Sequence, residues 1–447
     1  MRWILNFAYA ALLAMLSPVI AWRVIRHSRY RQGLAEKLLG RVKASPHERP
    51  VVWFHAVSVG EVIQLQKVVE EFRRQTAERF DIVVSTSTDT GWELTQKRFP
   101  GCQLTWFPLD FSWAVRNAVE RIQPALVVLM ELELWPNFLA ECHQRAIPVA
   151  VINARMSERS HRRYLRVRFL LKSMFSRLAL VAAQSQTYAD RLKSLGAQPS
   201  CIRVSGSIKF DGVETLRTNP KTSMLRNLFG LQPDDMVFMA GSTQEPEEQL
   251  ALTAWQKLRS EFPGLRLILV PRHKERFEEV ASLVRAAGEP LLRRSELNGR
   301  LAGSDAVASH PGQGAVILLD TIGELSACWG LADLALVGGS FGNRGGQNMI
   351  EPAAFGACVL FGPNTWNFRD VVESFREASA CIPLQSPDQL HETVAQLLRD
   401  GAQRQSLGHR AQEVVICQQG ATKLTASLLS ELVPAQQNVN GLLDRAA

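Results

Sequence analysis

VVWFHAVSVGE, residues 51–61, is the stretch that decides the fold. An apolar run over 51–57 leads into Gly60 and Glu61, where a helix is expected to start. A continuous apolar run suits a strand buried on both faces, and a glycine turn into a helix suits the repeating step of a parallel α/β sheet. Comparable runs recur through the first half as DIVVSTS (81–87), ALVVLM (125–130), VAVIN (149–153) and LALVAAQ (178–184). The second half repeats the pattern with MVFMAGS (236–242), LRLILVP (265–271), AVILLD (315–320), LALVGGS (334–340) and CVLFG (358–362). Longer helical stretches lie between, as βαβ units require. The polar, proline-containing ETLRTNPKTSM (214–224) reads as a linker. The expected fold class is α/β, with two Rossmann-like domains facing across a cleft. The domains are expected at 26–214 and 215–447, after an anchor at 1–25, with the last helix crossing back.

Composition agrees with a folded chain. A length of 447 residues favours two domains, and 46% hydrophobic with 21% charged residues argues against disorder. The net charge of +8 is uneven: residues 1–214 hold 30 Lys+Arg against 18 Asp+Glu, and the remainder 21 against 25. The basic half is suited to an anionic surface. Nucleic acid is not the expected partner, because no zinc-finger spacing, RNP-type motif or basic heptad is present. The seven cysteines are dispersed without a C-x-x-C pair, which suits a reducing compartment.

From Trp3 to Trp22 the sequence WILNFAYAALLAMLSPVIAW carries no charge. At about 1.5 Å per residue, such a helix matches a hydrocarbon core of about 30 Å. Arg23, Arg26, Arg29 and Arg31 follow, where a signal peptide would instead have small residues. The expectation is a single anchor with the rest of the chain on the cytoplasmic side. The alternative is a buried helix of the first domain.

In a doubly wound sheet, ligands gather beyond the carboxyl ends of the strands. There lie Gly60 and Glu61, then Glu131 and Glu133 in MELELWPN, where Pro136 is expected to open a helix. A carboxylate at a cleft mouth can take a proton from an attacking hydroxyl, although Glu61 can also simply complement a helix dipole. Two carboxylates two residues apart on an extended segment share one face. Lys209 follows a glycine turn in SGSIKFD. The stretch 157–178 mixes seven Lys and Arg with apolar residues, and either rests on an anionic membrane or packs as an ordinary helix. In the second half GSTQEPEE (241–248), VPRH (270–273), DTIGEL (320–325) and GGSFGNRGGQNMIEPAA (338–354) follow strands. Their glycines suit main-chain donors around a phosphate, and a glutamate can accept ribose hydroxyls. Neither a P-loop nor a G-x-G-x-x-G dinucleotide motif is present. A nucleotide-sugar transferase is the reading that remains, with a UDP-sugar transferase or epimerase and a catalytically silent scaffold as alternatives.

These motifs, with NARMSERS (153–160) and FGPNTWNFRD (361–370), resemble the Kdo (3-deoxy-D-manno-octulosonic acid) transferases of lipopolysaccharide biosynthesis, in the family's order. The resemblance implies a GT-B-like fold and inverting transfer of Kdo from CMP-Kdo to the lipid A precursor, without a cofactor or catalytic metal. It places the enzyme at the cytoplasmic face of a bacterial inner membrane. It implies that Glu61 is the general base and that Glu131 and Lys209 stabilise the transition state. It further implies that Pro271, Arg272, Ile322, Gly323, Glu324, Asn348, Met349, Ile350 and Glu351 contact CMP. The chain departs from the family pattern at Gln244 and Pro246, where a histidine and a glycine are common, and at Leu132, where threonine is common.

Overall fold

The computed structural model describes residues 2–26, 32–44, 47–301 and 314–433. The chain forms two compact units, Met1–Asp211 with Gln419–Ala447, and Gly212–Gln418. The border expected at 214/215 therefore lies at 211/212, and the second unit ends at Gln418.

The first unit is built on β1 (Val51–His55), β2 (Asp81–Thr86), β3 (Gln103–Trp106), β4 (Pro124–Met130), β5 (Val149–Ala154), β6 (Leu180–Ala183) and β7 (Ile202–Val204). All are parallel, in the order β3-β2-β1-β4-β5-β6-β7. Alternate residues of β1 feed opposite faces: Val51 and Trp53 join one core, and Val52 and Phe54 the other. The order reverses between β1 and β4, so a crevice opens beyond their carboxyl ends. HAVSVGE and MELELWPN enter that crevice.

The second unit repeats the plan with β8 (Met236–Thr243), β9 (Leu265–Pro271), β10 (Leu291–Arg293), β11 (Val316–Leu318), β12 (Leu334–Val337), β13 (Cys358–Phe361) and β14 (Cys381–Pro383). Its parallel order is β10-β11-β9-β8-β12-β13-β14, reversing between β8 and β12. The loops at that point are GSTQEPEE and GGSFGNRGG. Each of the ten runs read from sequence is a strand; β3, β7, β10 and β14 were not anticipated.

The last helix, Ala421–Leu432, packs on the Val59–Gln75 helix of the first unit and adds Ala421, Ala426 and Leu429 to its core. Asp211 fixes its start, accepting from the backbone N–H of Gly420 at 2.6 Å and of Thr422.

The N-terminal helix, Arg2–Arg26, differs from the expected anchor. Among the described residues no helix is long and apolar enough to cross a membrane. One side of this helix is tied to the first unit. Asn6 is buried and accepts from the Ser112 N–H at 3.0 Å, the Tyr9 hydroxyl donates to Asp110 at 3.1 Å, and Arg2 pairs with Glu141 at 3.3 Å. A lipid-surrounded span has no use for these polar anchors. The opposite side leaves Trp3, Ile4, Phe7, Leu12, Met15 and Trp22 exposed. The helix is amphipathic in its setting, docked on one side and bare on the other.

Candidate functional site

Beyond β1, Ser58 caps the Val59–Gln75 helix by accepting from the Glu61 N–H at 3.2 Å. Glu61 folds back in return, with one oxygen accepting from the Val57 N–H at 2.9 Å and the other from the Ser58 hydroxyl at 2.7 Å. This reciprocal cap satisfies orphan donors and fixes the carboxylate at the crevice mouth. Glu61 thus caps its own helix while standing at the end of β1. His55, the last residue of β1, is not an acid–base candidate. It is fully buried, stacked on Phe107 at 3.8 Å, and desolvation pushes its pKa down to about 3, so it is neutral.

Beyond β4 the backbone turns at once. Glu131 has φ 53°, so the segment is not extended as expected. A left-handed non-glycine residue is strained, and such residues cluster at functional sites. Here the strain aims the carboxylate at Arg155, whose Nε lies 3.1 Å from it. Burial raises the Glu131 pKa; Arg155 pulls it back, Glu61 raises it, and Lys209 lowers it. Glu133 is raised by burial and then by Glu61 and Glu131, while accepting from the Trp135 indole at 3.2 Å. Glu61, Glu131, Glu133, Arg155 and Lys209 therefore form one electrostatic neighbourhood at the switch point of the first sheet. Pro136 opens the next helix, Pro136–Gln144, and Leu132 packs on the core.

Sequence reasoning missed Arg155 and Asn153, although both lie in NARMSERS. Asn153 has φ 53° at the end of β5, accepts from the Ile208 N–H at 3.2 Å and donates to Gln64 at 2.9 Å. It thereby holds the turn carrying Lys209, whose neighbours Ile208 and Phe210 are buried. The basic stretch 157–178 is two helices, Glu158–Arg166 and Arg168–Phe175, broken at Val167. The first buries no residue, and Tyr164, Leu165, Phe169 and Leu170 are exposed beside the arginines.

In the second unit the glycine loop does something other than expected. Glu247 is buried, and its carboxylate accepts from the N–H groups of Gln244 (2.9 Å), Gly339 (2.7 Å), Ser340 (2.9 Å) and Phe341 (3.1 Å). Those donors are not free to hold a phosphate. The glycine at 338 serves close packing, since a Cβ there would lie 2.5 Å from the Ser242 carbonyl oxygen. Burial raises the Glu247 pKa against the pull of these four amides. Glu247 is thus a buried brace between the loops after β8 and β12.

The residues expected to contact CMP collect at the carboxyl ends of β9, β11 and β12. Pro271 ends β9, and the Arg272 N–H donates to the Thr243 carbonyl at 3.0 Å while its side chain is exposed. Beyond β11, Ile322 is 79% exposed, Gly323 has φ 91°, and Glu324 pairs with Arg294 at 2.8 Å. Glu351 accepts from Asn348 at 2.9 Å and from Ser326 at 2.7 Å, joining the β11 and β12 loops. Met349 and Ile350 have buried side chains, so they can offer a ligand only their main chain. Among the described residues no cluster of three or more His, Cys, Asp or Glu is arranged to hold a metal.

Two parallel α/β sheets, one with an acid–cation cluster at its switch point and the other with braced glycine loops, define a GT-B-like glycosyltransferase. The fold is shared with a UDP-GlcNAc 2-epimerase from Neisseria meningitidis bound to UDP-GlcNAc (TM-score 0.53, 12% identity, covering 85% of this chain and 100% of that one). It is also shared with MurG of Acinetobacter baumannii (TM-score 0.52, 13% identity, 86% and 99% covered). Residues 29–212 match the family model described as 3-deoxy-D-manno-octulosonic-acid transferase (kdotransferase). The 3-deoxy-D-manno-octulosonic acid transferase of Haemophilus influenzae is 33% identical over 436 residues, covering 95% of this chain and 98% of the relative. The chain belongs to the 3-deoxy-D-manno-octulosonic acid transferase family, and is by that membership a Kdo transferase.

Proposed function

We propose that the chain transfers Kdo from CMP-Kdo to a hydroxyl of the lipid A precursor, with inversion, at the cytoplasmic face of a bacterial inner membrane. The observation that carries the chemistry is the clustering of Glu61, Glu131, Arg155 and Lys209 beyond β1 and β4. Glu61 takes the proton from the acceptor hydroxyl, whose oxygen forms the new bond at the anomeric carbon of Kdo. The bond from that carbon to the CMP phosphate breaks, and CMP leaves with its electron pair. A single displacement inverts the carbon. Glu131 stabilises the developing oxocarbenium charge, and Lys209 faces negative charge on the departing group or the Kdo carboxylate. The loops carrying Pro271, Arg272, Ile322 to Glu324 and Asn348 to Glu351 hold CMP, and the chemistry requires that the bound donor be presented to Glu61.

Membrane contact in this reading is in-plane rather than spanning. The bare side of the N-terminal helix supplies apolar side chains, and the Glu158–Arg166 and Arg168–Phe175 helices supply arginines among exposed Tyr164, Phe169 and Leu170. The N-terminal helix and the Arg168–Phe175 helix both meet the Pro136–Gln144 helix. Apolar area with basic residues is the composition that binds anionic lipid surfaces.

Incubation with CMP-Kdo and lipid A precursor, read by mass spectrometry, is expected to give the Kdo-bearing product, with CMP but not UDP competing. Glu61→Gln is expected to lose about a thousandfold or more in rate with CMP still bound. Wild-type rates in that variant, or equal competition by UDP, would overturn the assignment.

A further inference from the structure

A cavity of about 160 Å³ lies between the N-terminal helix and the loops after β3 and β4. Leu12 and Leu13 wall it on one side, Leu109 and Phe111 on another, and Trp135 closes it toward the β4 loop. Its size is comparable to cavities of about 150 Å³ that stay dry and take a benzene-sized apolar guest. The charged group in the wall, Asp110, has no need of a polar guest. One of its oxygens accepts from the Phe138 N–H at 2.9 Å, and the other from the Asn137 N–H at 3.0 Å and the Tyr9 hydroxyl at 3.1 Å. The rim reaches the surface, since Leu12, Leu109 and Trp135 are 55%, 40% and 39% exposed.

Two connections say what the guest is. Leu12 belongs both to the rim and to the bare apolar side of the N-terminal helix, so a hydrocarbon chain lying along that side meets the cavity mouth at Leu12. At the other end, the Trp135 indole donates to Glu133 at 3.2 Å, and Glu133 senses Glu61 and Glu131. The Trp135 end of the cavity therefore adjoins the acid cluster. We propose that this cavity is a subsite for one acyl chain of the lipid acceptor, selecting acceptors by chain length and registering the sugar hydroxyl near Glu61. This rests on the transfer reading above.

The test compares transfer, in detergent micelles, to a phosphorylated disaccharide with long acyl chains and to the same disaccharide with two-carbon chains. Leu13→Trp and, from a different segment, Leu109→Trp each fill the cavity. The expected result in both is a fall of about tenfold or more in the kcat/KM preference for the long-chain acceptor. Unchanged preference, or equal loss on both acceptors in both variants, would overturn the proposal. Loss of binding to phospholipid vesicles with the preference intact would assign the cavity to bulk lipid and overturn it as well. A wild-type protein that forms product with neither acceptor would instead sink the transfer reading itself.

Discussion

The two units use the same topological crevice in opposite ways. In the first, charge faces outward: Glu61, Glu131 and Glu133 stand at the ends of β1 and β4, with Arg155 and Lys209 as counter-charges. In the second, the corresponding loops turn a carboxylate inward, where Glu247 spends both oxygens on four backbone amides. One switch point gathers ionisable side chains, and the other braces its own backbone. A doubly wound sheet dictates where a site lies, while the loop side chains dictate whether it reacts or holds.

The comparison breaks first at Glu247. In Glu247→Ala four amides lose their acceptor, and each buried unsatisfied donor costs about 1–3 kcal/mol. CMP affinity, read by calorimetry, is expected to fall about a hundredfold, or about 2.7 kcal/mol. If CMP binds the variant as tightly as wild type, the brace is irrelevant to donor binding and the contrast between units fails.

A smaller effect sharpens the reactive side. Arg155 lowers the raised Glu131 pKa, so Arg155→Ala removes a lowering cause and the Glu131 pKa moves further up. Glu131 then protonates at higher pH, and the acid limb of the pH–rate profile is expected to shift upward with about a tenfold loss of kcat near neutrality. Arg155→Lys should recover part of both. An unmoved acid limb in Arg155→Ala would remove Arg155 from the charge balance.

The smallest effect separates scaffold from site. Asp211→Asn weakens the cap on the Ala421–Leu432 helix and is expected to cost about 1 kcal/mol. Hydrogen exchange should quicken in that helix and in Val59–Gln75, with the second unit unaffected. Equal quickening in the second unit would contradict the assignment of this helix to the first.

Much of this was legible in sequence, for physical reasons that also mark the boundary. Central strands such as β1, β4, β8 and β9 are buried on both faces and read as unbroken apolar runs. The four unanticipated strands, β3, β7, β10 and β14, are the sheet edges. They have three or four residues, with partly buried or exposed positions such as Arg203 and Val204 in β7. Paired on one side only, they need no apolar run. Glu61 and Glu131 stood out in sequence because strand ends are predictable places, and Lys209 because it follows a glycine turn. Arg155 was not, because an arginine's partner depends on the left-handed turn at Glu131, which no local residue preference announces. The glycine loop misled because glycine density signals close backbone approach without saying to what; here the visitor is the protein's own carboxylate. The N-terminal helix misled because hydropathy averages over the circumference, and Asn6 and Tyr9 matter only by facing Ser112 and Asp110.

The return of the chain at Gln419 has a genetic corollary. The second unit is one uninterrupted segment, Gly212–Gln418, whereas the first is assembled from two segments that flank it. A premature stop just after codon 418 would spare every residue of the second unit. It would strip the Val59–Gln75 helix, on which Glu61 rides, of the apolar cover that Ala426 and Leu429 provide.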